Sequence, residues 1–538
     1  MQSNDVALLG QSIDQLISNL PQRISSPLYR WCQECPDKVA ARDHLGEVCT
    51  YRELVERVEQ AMEVLRGQGV RAGDRVLLIN ENCVALIVCV LALSELDAVS
   101  VVVNARLAAP EIARISSHCE PRLTVCFLDS TAAEAHWQRT TAAGAIGSVM
   151  TLGGARLGLL PGSANTPSTE DDATLPTQQR VCAMIYTTGT TGDPKGVMLT
   201  HRNILFVSAV TSVLRGMCAQ DRIYCVLPLS HVFGLSAVFL ASLYVGAELV
   251  LADRFDAAGT LQTLKERQIT GMFGVPTSFA KLIEYTRAQG IGPAEMPRLR
   301  FIYSGGSPLD PTIKLETEQL FGLTLLNAYG MTESGPTICQ VRYNERLDSC
   351  SVGRPLPGMD AKVLDPQGQP VAPGDVGELH VRGPNVMRGY FRNPEATAAV
   401  IDAEGFLNTG DLVRLDGGGN VHIAGRSKEL IIHSGFNVYP PEVEAALASH
   451  PDVVLCAVLG EAVDGNEHVI AYVQRVVGSL LDEATLQAFV KPLLTPYKRP
   501  ARIVFMAQLP TAPSGKVLKH QLKRQGGGTQ SIQWPLQS

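Results

Sequence analysis

The chain has 538 residues, a length that allows about three to four domains and a large buried core without support from disulfides or metals. Hydrophobic residues make up 45% and charged residues 18% of the sequence, which excludes global disorder. Asp and Glu outnumber Lys and Arg by 53 to 46, and the resulting net charge of −7 argues against a general nucleic-acid-binding protein.

The cysteines and the N-terminal segment predict a cytoplasmic protein. The 13 cysteines are odd in number and scattered, which is typical of reduced thiols. The first residues show neither the basic region nor the apolar run of a signal peptide. The most apolar stretch, 83–103, is interrupted by Glu95 and Asp97, so it is too short to span a bilayer and predicts a buried helix followed by a buried strand.

Apolar strand-like runs alternate with helical patterns through the first 400 residues. The runs lie at 75–80, 99–104, 181–186, 223–227, 248–251 and 300–304, and helical patterns lie at 51–68, 203–214 and 278–289. This alternation predicts parallel sheets that are covered by helices on both faces. The Pro- and Ser-rich segment 161–179 has no periodicity and predicts a surface loop.

The sequence pattern changes twice in the last third of the chain. Short segments punctuated by Gly and Pro from about 353 to 425 predict antiparallel strands. From 426 onward an α+β pattern follows, with helices predicted at 442–449 and 483–491 and strands at 453–459 and 468–474. We therefore expect an N-terminal domain at 1–425, a C-terminal domain at 426–525 and a disordered tail at 526–538.

The strongest chemical signal is the string Tyr186-Thr-Thr-Gly-Thr-Thr-Gly-Asp-Pro-Lys-Gly196, which directly follows a strand-like run. Its glycines let the backbone approach a ligand, its threonines offer hydroxyl groups, and Lys195 adds a positive charge. These features predict a loop that holds polyphosphate oxygens. The string is not a Walker A motif, because Asp193 and Pro194 separate Gly192 from Lys195.

Further short motifs follow, each with an ordinary structural explanation when taken alone: a core histidine, a helix start, a turn or a surface lysine. They are Pro228-Leu-Ser-His-Val-Phe-Gly-Leu235, Ser304-Gly-Gly-Ser-Pro-Leu309, Tyr329-Gly-Met-Thr-Glu-Ser334, Asn408-Thr-Gly-Asp-Leu412, Gly425-Arg-Ser-Lys-Glu-Leu-Ile431, His433-Ser-Gly-Phe-Asn-Val-Tyr-Pro-Pro-Glu442 and Pro510-Thr-Ala-Pro-Ser-Gly-Lys516. In this order, and together with the threonine-rich string, they resemble the superfamily of adenylate-forming enzymes, which includes the acyl-CoA synthetases. The resemblance extends from about residue 30 to residue 523.

The resemblance implies an α/β fold with a large N-terminal domain, whose parallel sheets are covered by helices and joined by a small β-barrel-like part, and a small mobile α+β C-terminal domain. It also implies roles for individual residues. Nucleotide binding falls to Thr187, Thr188, Gly189, Thr190, Thr191, Gly192, Lys195, Gly305, Gly306, Ser307, Tyr329, Gly330, Thr332, Asp411 and Arg426. The acid pocket falls to His231, Gly305, Gly306, Gly330 and Met331.

The same resemblance implies that Glu333 binds magnesium and that Lys516, Thr332, His231 and Lys195 take part in catalysis. Lys428 is then the hinge between the domains, and Gly435 lines a tunnel for a thiol. A single carboxylate suits magnesium, because this hard cation takes few protein ligands and keeps phosphate oxygens as the others.

The implied reaction joins a carboxylic acid to coenzyme A through an acyl-adenylate, using ATP and Mg²⁺ and releasing AMP and pyrophosphate. A medium- or long-chain fatty acid is the favoured substrate, because the glycines and Met331 suggest a roomy apolar pocket and no Arg or Lys in the motifs could pair with a second carboxylate. An aromatic acid is the alternative, since Ser334-Gly-Pro-Thr337 resembles the loop of coumarate ligases.

Other possibilities stay open from the sequence. The thiol acceptor could be an acyl carrier protein instead of coenzyme A, and the motifs alone also fit a luciferase-type oxygenase. A nucleotide sensor without turnover is the possibility from outside the enzymes. The chain could be a monomer or a homodimer, and we expect no nucleic-acid partner.

Overall fold

The computed structural model of the protein describes residues 3–162, 174–188, 194–292, 298–433, 436–463, 466–511, 517–519 and 521–522. Residues 189–193 of the threonine-rich string, Gly435, Lys516 and the predicted tail therefore lie outside the described residues. None of the helices in the described ranges combines the length and the apolar character that are needed to cross a membrane.

The α-helices are numbered in chain order. They are α1 Ser3–Leu9, α2 Ile13–Ser18, α3 Ser26–Glu34, α4 Tyr51–Gly67, α5 Val84–Glu95, α6 Ala109–Cys119, α7 Thr131–Ala142, α8 His201–Leu214, α9 Ala241–Val245, α10 Ala257–Glu266, α11 Pro276–Ala288, α12 Pro311–Phe321, α13 Pro394–Ala398, α14 Pro440–Ala448 and α15 Glu483–Val490. A π-helix at Phe233–Leu240 and short 3₁₀ helices at Thr332–Ser334 and Ser427–Glu429 also matter for the site.

The strands are numbered in the same way. They are β1 Val39–Arg42, β2 Val48–Thr50, β3 Arg75–Asn80, β4 Val99–Asn104, β5 Leu123–Phe127, β6 Ser148–Leu152, β7 Ala155–Pro161, β8 Val181–Thr188, β9 Pro194–Thr200, β10 Arg222–Cys225, β11 Glu248–Leu251, β12 Gly271–Gly274, β13 Phe301–Ser304, β14 Leu325–Gly330, β15 Thr337–Gln340, β16 Arg354–Pro355, β17 Asp360–Leu364, β18 Val376–Arg382, β19 Gly389–Tyr390, β20 Leu407–Leu415, β21 Val421–Arg426, β22 Ile431–His433, β23 Phe436–Val438, β24 Val453–Val463, β25 Asn466–Arg475 and β26 Arg502–Met506.

In the part of the chain that the structure describes, two large sheets form the N-terminal region. One has the strand order β19-β9-β8-β4-β3-β5-β7-β6, and the other has the order β16-β15-β14-β13-β12-β10-β11-β1-β2. Strands β3, β4, β5 and β8 run parallel, as do β1 and β10 to β14, which confirms the parallel sheets that the sequence predicted. Helices α5 and α6 pack on opposite faces of the first sheet, because α5 belongs to one buried apolar cluster and α6 to another.

The apolar stretch 83–103 forms the buried helix α5 and the buried strand β4, as predicted. Residues 84 to 94 are all buried, so α5 has no polar face. A helix surrounded by protein on all sides has no reason to carry polar residues, which accounts for its resemblance to a membrane segment.

The remaining strands form smaller sheets, which agree with the change of pattern after residue 353. Strands β17, β18, β20 and β21 form an antiparallel sheet that occupies the place of the predicted β-barrel-like part. Farther along, β24, β25 and β26 form a sheet against which α14 and α15 pack through a separate apolar cluster. The predicted loop at 161–179 begins at the end of β7 and closes with a 3₁₀ helix at Thr177–Gln179, and residues 163–173 are not described.

Candidate active site

The turn that follows β14 is where the two large sheets and the antiparallel sheet meet. Gly330 ends β14 and has no space for a side chain, because a Cβ built on it would lie 1.8 Å from the carbonyl oxygen of Pro336. The 3₁₀ helix that follows carries Thr332 and Glu333, both less than 10% exposed. The helix start that the residue types alone suggested at Thr332 is therefore a single 3₁₀ turn. Met331 is half-buried in the apolar cluster of the antiparallel sheet.

Tyr329, Asp411 and Arg426 form one connected group on the antiparallel side of this turn. The Tyr329 hydroxyl donates to Oδ2 of Asp411 at 2.5 Å, and Nε of Arg426 lies 3.2 Å from Oδ1 of the same carboxylate. Asp411 and Arg426 are direct partners in the ladder between β20 and β21, so strand pairing sets their proximity. Burial and the neighbouring Asp411 carboxylate raise the pKa of Tyr329 well above its ordinary value, so its hydroxyl stays a donor.

Glu333 and Lys195 both contact Tyr390. The Tyr390 hydroxyl donates to Oε1 of Glu333 at 2.7 Å, and the Lys195 ammonium lies 4.9 Å from the centre of the Tyr390 ring. The two-residue strand β19 pairs Tyr390 with Val197 of β9, which positions the ring beside Lys195. Burial and Glu333 raise the pKa of Tyr390 as well.

The candidate acid pocket lies between the π-helix and the carboxyl ends of β12 and β13. His231 precedes the π-helix, and its Nδ1 accepts from the backbone N–H of Phe233 at 3.2 Å. The Phe233 ring lies against Gly305, since a Cβ built on Gly305 would lie 3.1 Å from Phe233 Cε1. Gly306 has a positive φ of 83°, a backbone conformation that residues other than glycine rarely adopt.

The structure brings most of the predicted residues together but not all of them. Thr187 and Lys195 are opposite each other in the β8–β9 hairpin, with the backbone of Thr188 beside them. Ser307 follows Gly306 in the loop after β13. Lys428 is exposed on the 3₁₀ turn directly after β21. The predicted residues Gly189, Thr190, Thr191, Gly192, Gly435 and Lys516 lie outside the described residues.

Two residues near the site were not predicted from the sequence. Tyr390 was missed because its contacts with Lys195 and Glu333 join segments that are far apart in the chain, and a Gly-Tyr pair in a Gly-rich region carries no signal of its own. Arg215 was missed because it follows α8, between the motifs, where an arginine usually faces solvent.

The residues around Glu333 fit a magnesium ion that is held mainly by phosphate. No cluster of three or more metal-ligating side chains exists among the residues that the structure describes, so a protein-only cage is not present there. A buried carboxylate beside a hydroxyl-bearing residue, Thr332, offers the hard oxygen ligands that Mg²⁺ prefers. Nucleotide phosphates would supply further oxygens.

Comparisons with known proteins cover both parts of the chain. The family model for AMP-binding enzymes matches residues 28–391, and the model for the AMP-binding enzyme C-terminal domain matches residues 442–516. A feruloyl-CoA synthase from Amycolatopsis sp. is 34% identical over 511 residues, which cover 94% of this chain and 99% of the relative. The 4-coumarate–CoA ligase 1 of Oryza sativa subsp. japonica is 31% identical over 93% of this chain and 92% of the relative.

Solved structures give the same result for the fold. ATP-bound MatB from Rhodopseudomonas palustris matches with a TM-score of 0.81 and 30% sequence identity. The match covers 93% of this chain and 98% of MatB, so it includes both the large sheets and the C-terminal region.

Proposed function

The chain belongs to the family of AMP-binding enzymes and is an AMP-forming acid–CoA ligase, and from this premise we propose that its acid is an aromatic one of the benzoate or hydroxycinnamate type. The family resemblance that the motifs indicated is thereby confirmed. The observation that carries the proposal is the similarity, over nearly the full length of both chains, to relatives named for feruloyl and coumaroyl acids.

The walls of the acid pocket also favour an aromatic acid over the fatty acid that the sequence favoured. Phe233 contacts Gly305, and its ring lies 6.4 Å from that of Phe273 with the planes at 86°. Edge-to-face contacts of this kind extend readily to the ring of a bound aryl acid. The segment Ser334-Gly-Pro-Thr337, which resembles the loop of coumarate ligases, contacts the π-helix through the hydrogen bond that Ser236 Oγ donates to the carbonyl oxygen of Gly335 at 2.7 Å.

We propose that the group around Asp411 holds the nucleoside. The carboxylate of Asp411 can accept from two ribose hydroxyls, and the Tyr329 ring lies beside it to stack on adenine. Arg426 contacts the same nucleotide from β21. Gly305, Gly306, Ser307 and Gly330, which the sequence assigned to nucleotide binding, complete the proposed nucleoside site.

We propose that Glu333, Thr332 and Lys195 hold the phosphates together with the threonine-rich string. Magnesium on Glu333 supplies charge neutralisation for the phosphates. Thr332 and the string from Thr187 to Gly192 offer hydroxyl and N–H donors, and Lys195 approaches Glu333 across the Tyr390 ring. Aligned donors and cations are what this reaction needs, because phosphoryl chemistry depends on positioning and electrostatics.

The proposed reaction has two steps. An oxygen of the acid attacks the α-phosphorus of ATP and the bond to pyrophosphate breaks, with Lys516 beside the reacting groups and His231 lining the pocket. The thiol of coenzyme A then loses its proton to solvent, its sulfur attacks the acyl carbon, and AMP leaves with the electron pair of the bond between the acyl carbon and the phosphate oxygen. No general base is needed for the first step, because the acid is already ionised.

We propose that the C-terminal domain, 426–525, rotates about Lys428 between the steps. This rotation withdraws Lys516 and brings Gly435 to the thiol path, so that one site serves both reactions. The exposed position of Lys428 on a short turn directly after β21 supports a hinge there.

The test is AMP formation with ATP, Mg²⁺ and a panel of aromatic and fatty acids, with and without coenzyme A. We expect turnover that requires both an aromatic acid and coenzyme A. Faster turnover with fatty acids would refute the aromatic proposal. Adenylate formation that coenzyme A does not accelerate would point to a carrier protein as acceptor.

A further inference from the structure

Arg215 is a buried cation without a buried counter-charge. It directly follows α8 and is 1% exposed. Among the residues that the structure describes, no carboxylate pairs with its guanidinium group, and its Nε has no hydrogen-bond partner. Burial lowers the pKa of Arg215 to about 10, which leaves the group protonated at neutral pH.

The contacts of Arg215 are with two aromatic rings and one carbonyl group. Its Cζ lies 5.1 Å from the centre of the Phe273 ring and 5.3 Å from that of Tyr303, and one Nη donates to the carbonyl oxygen of Ala237 at 2.7 Å. The Tyr303 hydroxyl donates to the carbonyl oxygen of Val341 at 2.9 Å.

These contacts place the guanidinium group below the acid pocket. Tyr303 precedes Gly305 by two residues of β13 and its loop, which corresponds to about 7 Å of extended chain. Ala237 belongs to the π-helix that begins directly after His231 and Val232. Phe273, which stacks on Tyr303, also contacts the Phe233 ring that lies against Gly305. Arg215 therefore contacts the aromatic cluster that borders the glycines of the pocket.

Other arginines in the same region have the carboxylate that Arg215 lacks. Arg342 is equally buried, and its guanidinium group pairs with Asp5 at 2.8 Å. Arg300 stacks on the neighbouring rings Phe301 and Tyr343 and pairs with Asp221 at 2.8 Å. Stacking on rings in this sheet is thus compatible with a protein counter-charge.

We infer that Arg215 is a specificity-determining residue that binds an oxygen acceptor at the far end of the acid, either a phenolic hydroxyl or a second carboxylate. The inference rests on the proposed aryl-CoA ligase function. A guanidinium group in an apolar surrounding is costly unless an acceptor approaches it, and Arg presents five N–H donors of which this structure uses few. A site built to bond an acceptor also rejects the analogue that lacks it.

This inference changes the view of the pocket that the motifs gave. No Arg or Lys within the motifs could pair with a second carboxylate of the acid, and the motifs therefore suggested a roomy apolar pocket. Arg215 supplies that cation from outside the motifs. An acid with an apolar middle and an oxygen at its distal end could pack against the rings of Phe233 and Phe273 and accept a hydrogen bond from Arg215.

The test compares three acids that differ at one position: 4-hydroxycinnamate, 4-carboxycinnamate and 4-methylcinnamate. For the wild-type enzyme we expect kcat/KM for at least one oxygen-bearing acid to exceed that for the methyl acid by about 10- to 100-fold. The ratio of hydroxy to carboxy acid tells which oxygen is recognised. Equal kcat/KM for all three acids would overturn the inference, whereas no AMP formation with any of them would refute the proposed function itself.

Variants separate specificity from packing. Arg215→Met keeps an unbranched apolar chain against the rings, and we expect it to bring the ratio of kcat/KM values close to one. Arg300→Met is the matched control, because it removes a stacked arginine from the same sheet and should lower the thermal stability without changing the ratio. Arg215→Lys should retain a preference for an oxygen-bearing acid. A preference that survives Arg215→Met would contradict the inference. If that variant does not fold, loss of the preference in a folded Arg215→Lys enzyme would contradict it, because this variant keeps a cation at the position.

Discussion

Replacing Tyr390 by Phe isolates one hydrogen bond at the proposed magnesium site. The ring remains, so the 4.9 Å contact with the Lys195 ammonium is preserved, and only the 2.7 Å bond to Oε1 of Glu333 is lost. A hydrogen bond to a charged group contributes about 1.5–3 kcal/mol. If that bond holds the Glu333 carboxylate in the orientation that binds magnesium, its loss corresponds to roughly 10- to 100-fold weaker binding of the ion. We therefore expect the Mg²⁺ concentration for half-maximal adenylation to rise by that factor.

The assay is AMP formation at saturating acid and ATP, titrated with Mg²⁺, with thermal unfolding measured in parallel. Tyr224→Phe is the matched control, because the Tyr224 hydroxyl lies 3.2 Å from Oγ1 of Thr260 in the same kind of buried surrounding, away from Glu333. It should lose some stability and keep its Mg²⁺ dependence. An unchanged Mg²⁺ titration for a folded Tyr390→Phe enzyme would refute the reasoning that Tyr390 positions Glu333.

Three other changes test the site and the fold. Gly330→Ala should reduce adenylation more than 100-fold and lower the thermal stability, because its Cβ would meet the Pro336 carbonyl oxygen. Gly292→Ala is the control, because the space around Gly292 is open and the substitution should change neither property. Equal activity of the two variants would contradict this reasoning. Asp411→Asn should raise KM for ATP about 10-fold or more and leave KM for the acid nearly unchanged. The variant loses the carboxylate that accepts a hydrogen bond from Tyr329 and that we propose accepts from the ribose hydroxyls. Burial lowers the pKa of His201 to about 3, so between pH 6.5 and pH 3 the unfolded chain binds a proton that the folded chain does not. The free energy of unfolding therefore decreases as the pH is lowered through that window. At pH 4.5 the loss is about 3 kcal/mol, and His201→Gln should flatten this acid limb in urea unfolding.

The sequence was sufficient for some of the elements that are buried on both sides, whereas β5 and β12, which are equally buried, were not among the predicted runs. The predicted runs 75–80 and 99–104 agree residue for residue with β3 and β4, because every strand in the middle of a covered parallel sheet is a block of apolar residues with sharp polar ends. Helix bounds agree less closely: α8 begins two residues earlier than predicted, at His201, where Thr200 caps the helix. Caps depend on side-chain hydrogen bonds that periodicity does not report.

The site could be predicted only as far as its residues are motif residues. Tyr329, Glu333 and Asp411 were found because the spacing of the motifs matched a family, and not because local residue types demanded a site. Tyr390 and Arg215 carry no such pattern, since their importance comes from neighbours that only the folded chain supplies. The periodicity of a sequence does not report which distant residues pack together in the folded chain.

The two charges that face the proposed ligands are compensated in different ways, and this difference follows from their tasks. Glu333 accepts a hydrogen bond from Tyr390, whose ring Lys195 contacts, so the protein holds the orientation of the carboxylate before magnesium binds. Arg215 is restrained by rings and one carbonyl group, which fix its position and leave its charge without a carboxylate. A group required in every turnover is best held by the protein in advance, whereas a group that discriminates between acids gains most when only the right acid completes its bonds. If that reasoning is correct, a carboxylate introduced beside Arg215 by Ala237→Asp should reduce kcat/KM for the oxygen-bearing acids more than for 4-methylcinnamate, and an equal reduction for all three would show that the change acts on packing alone.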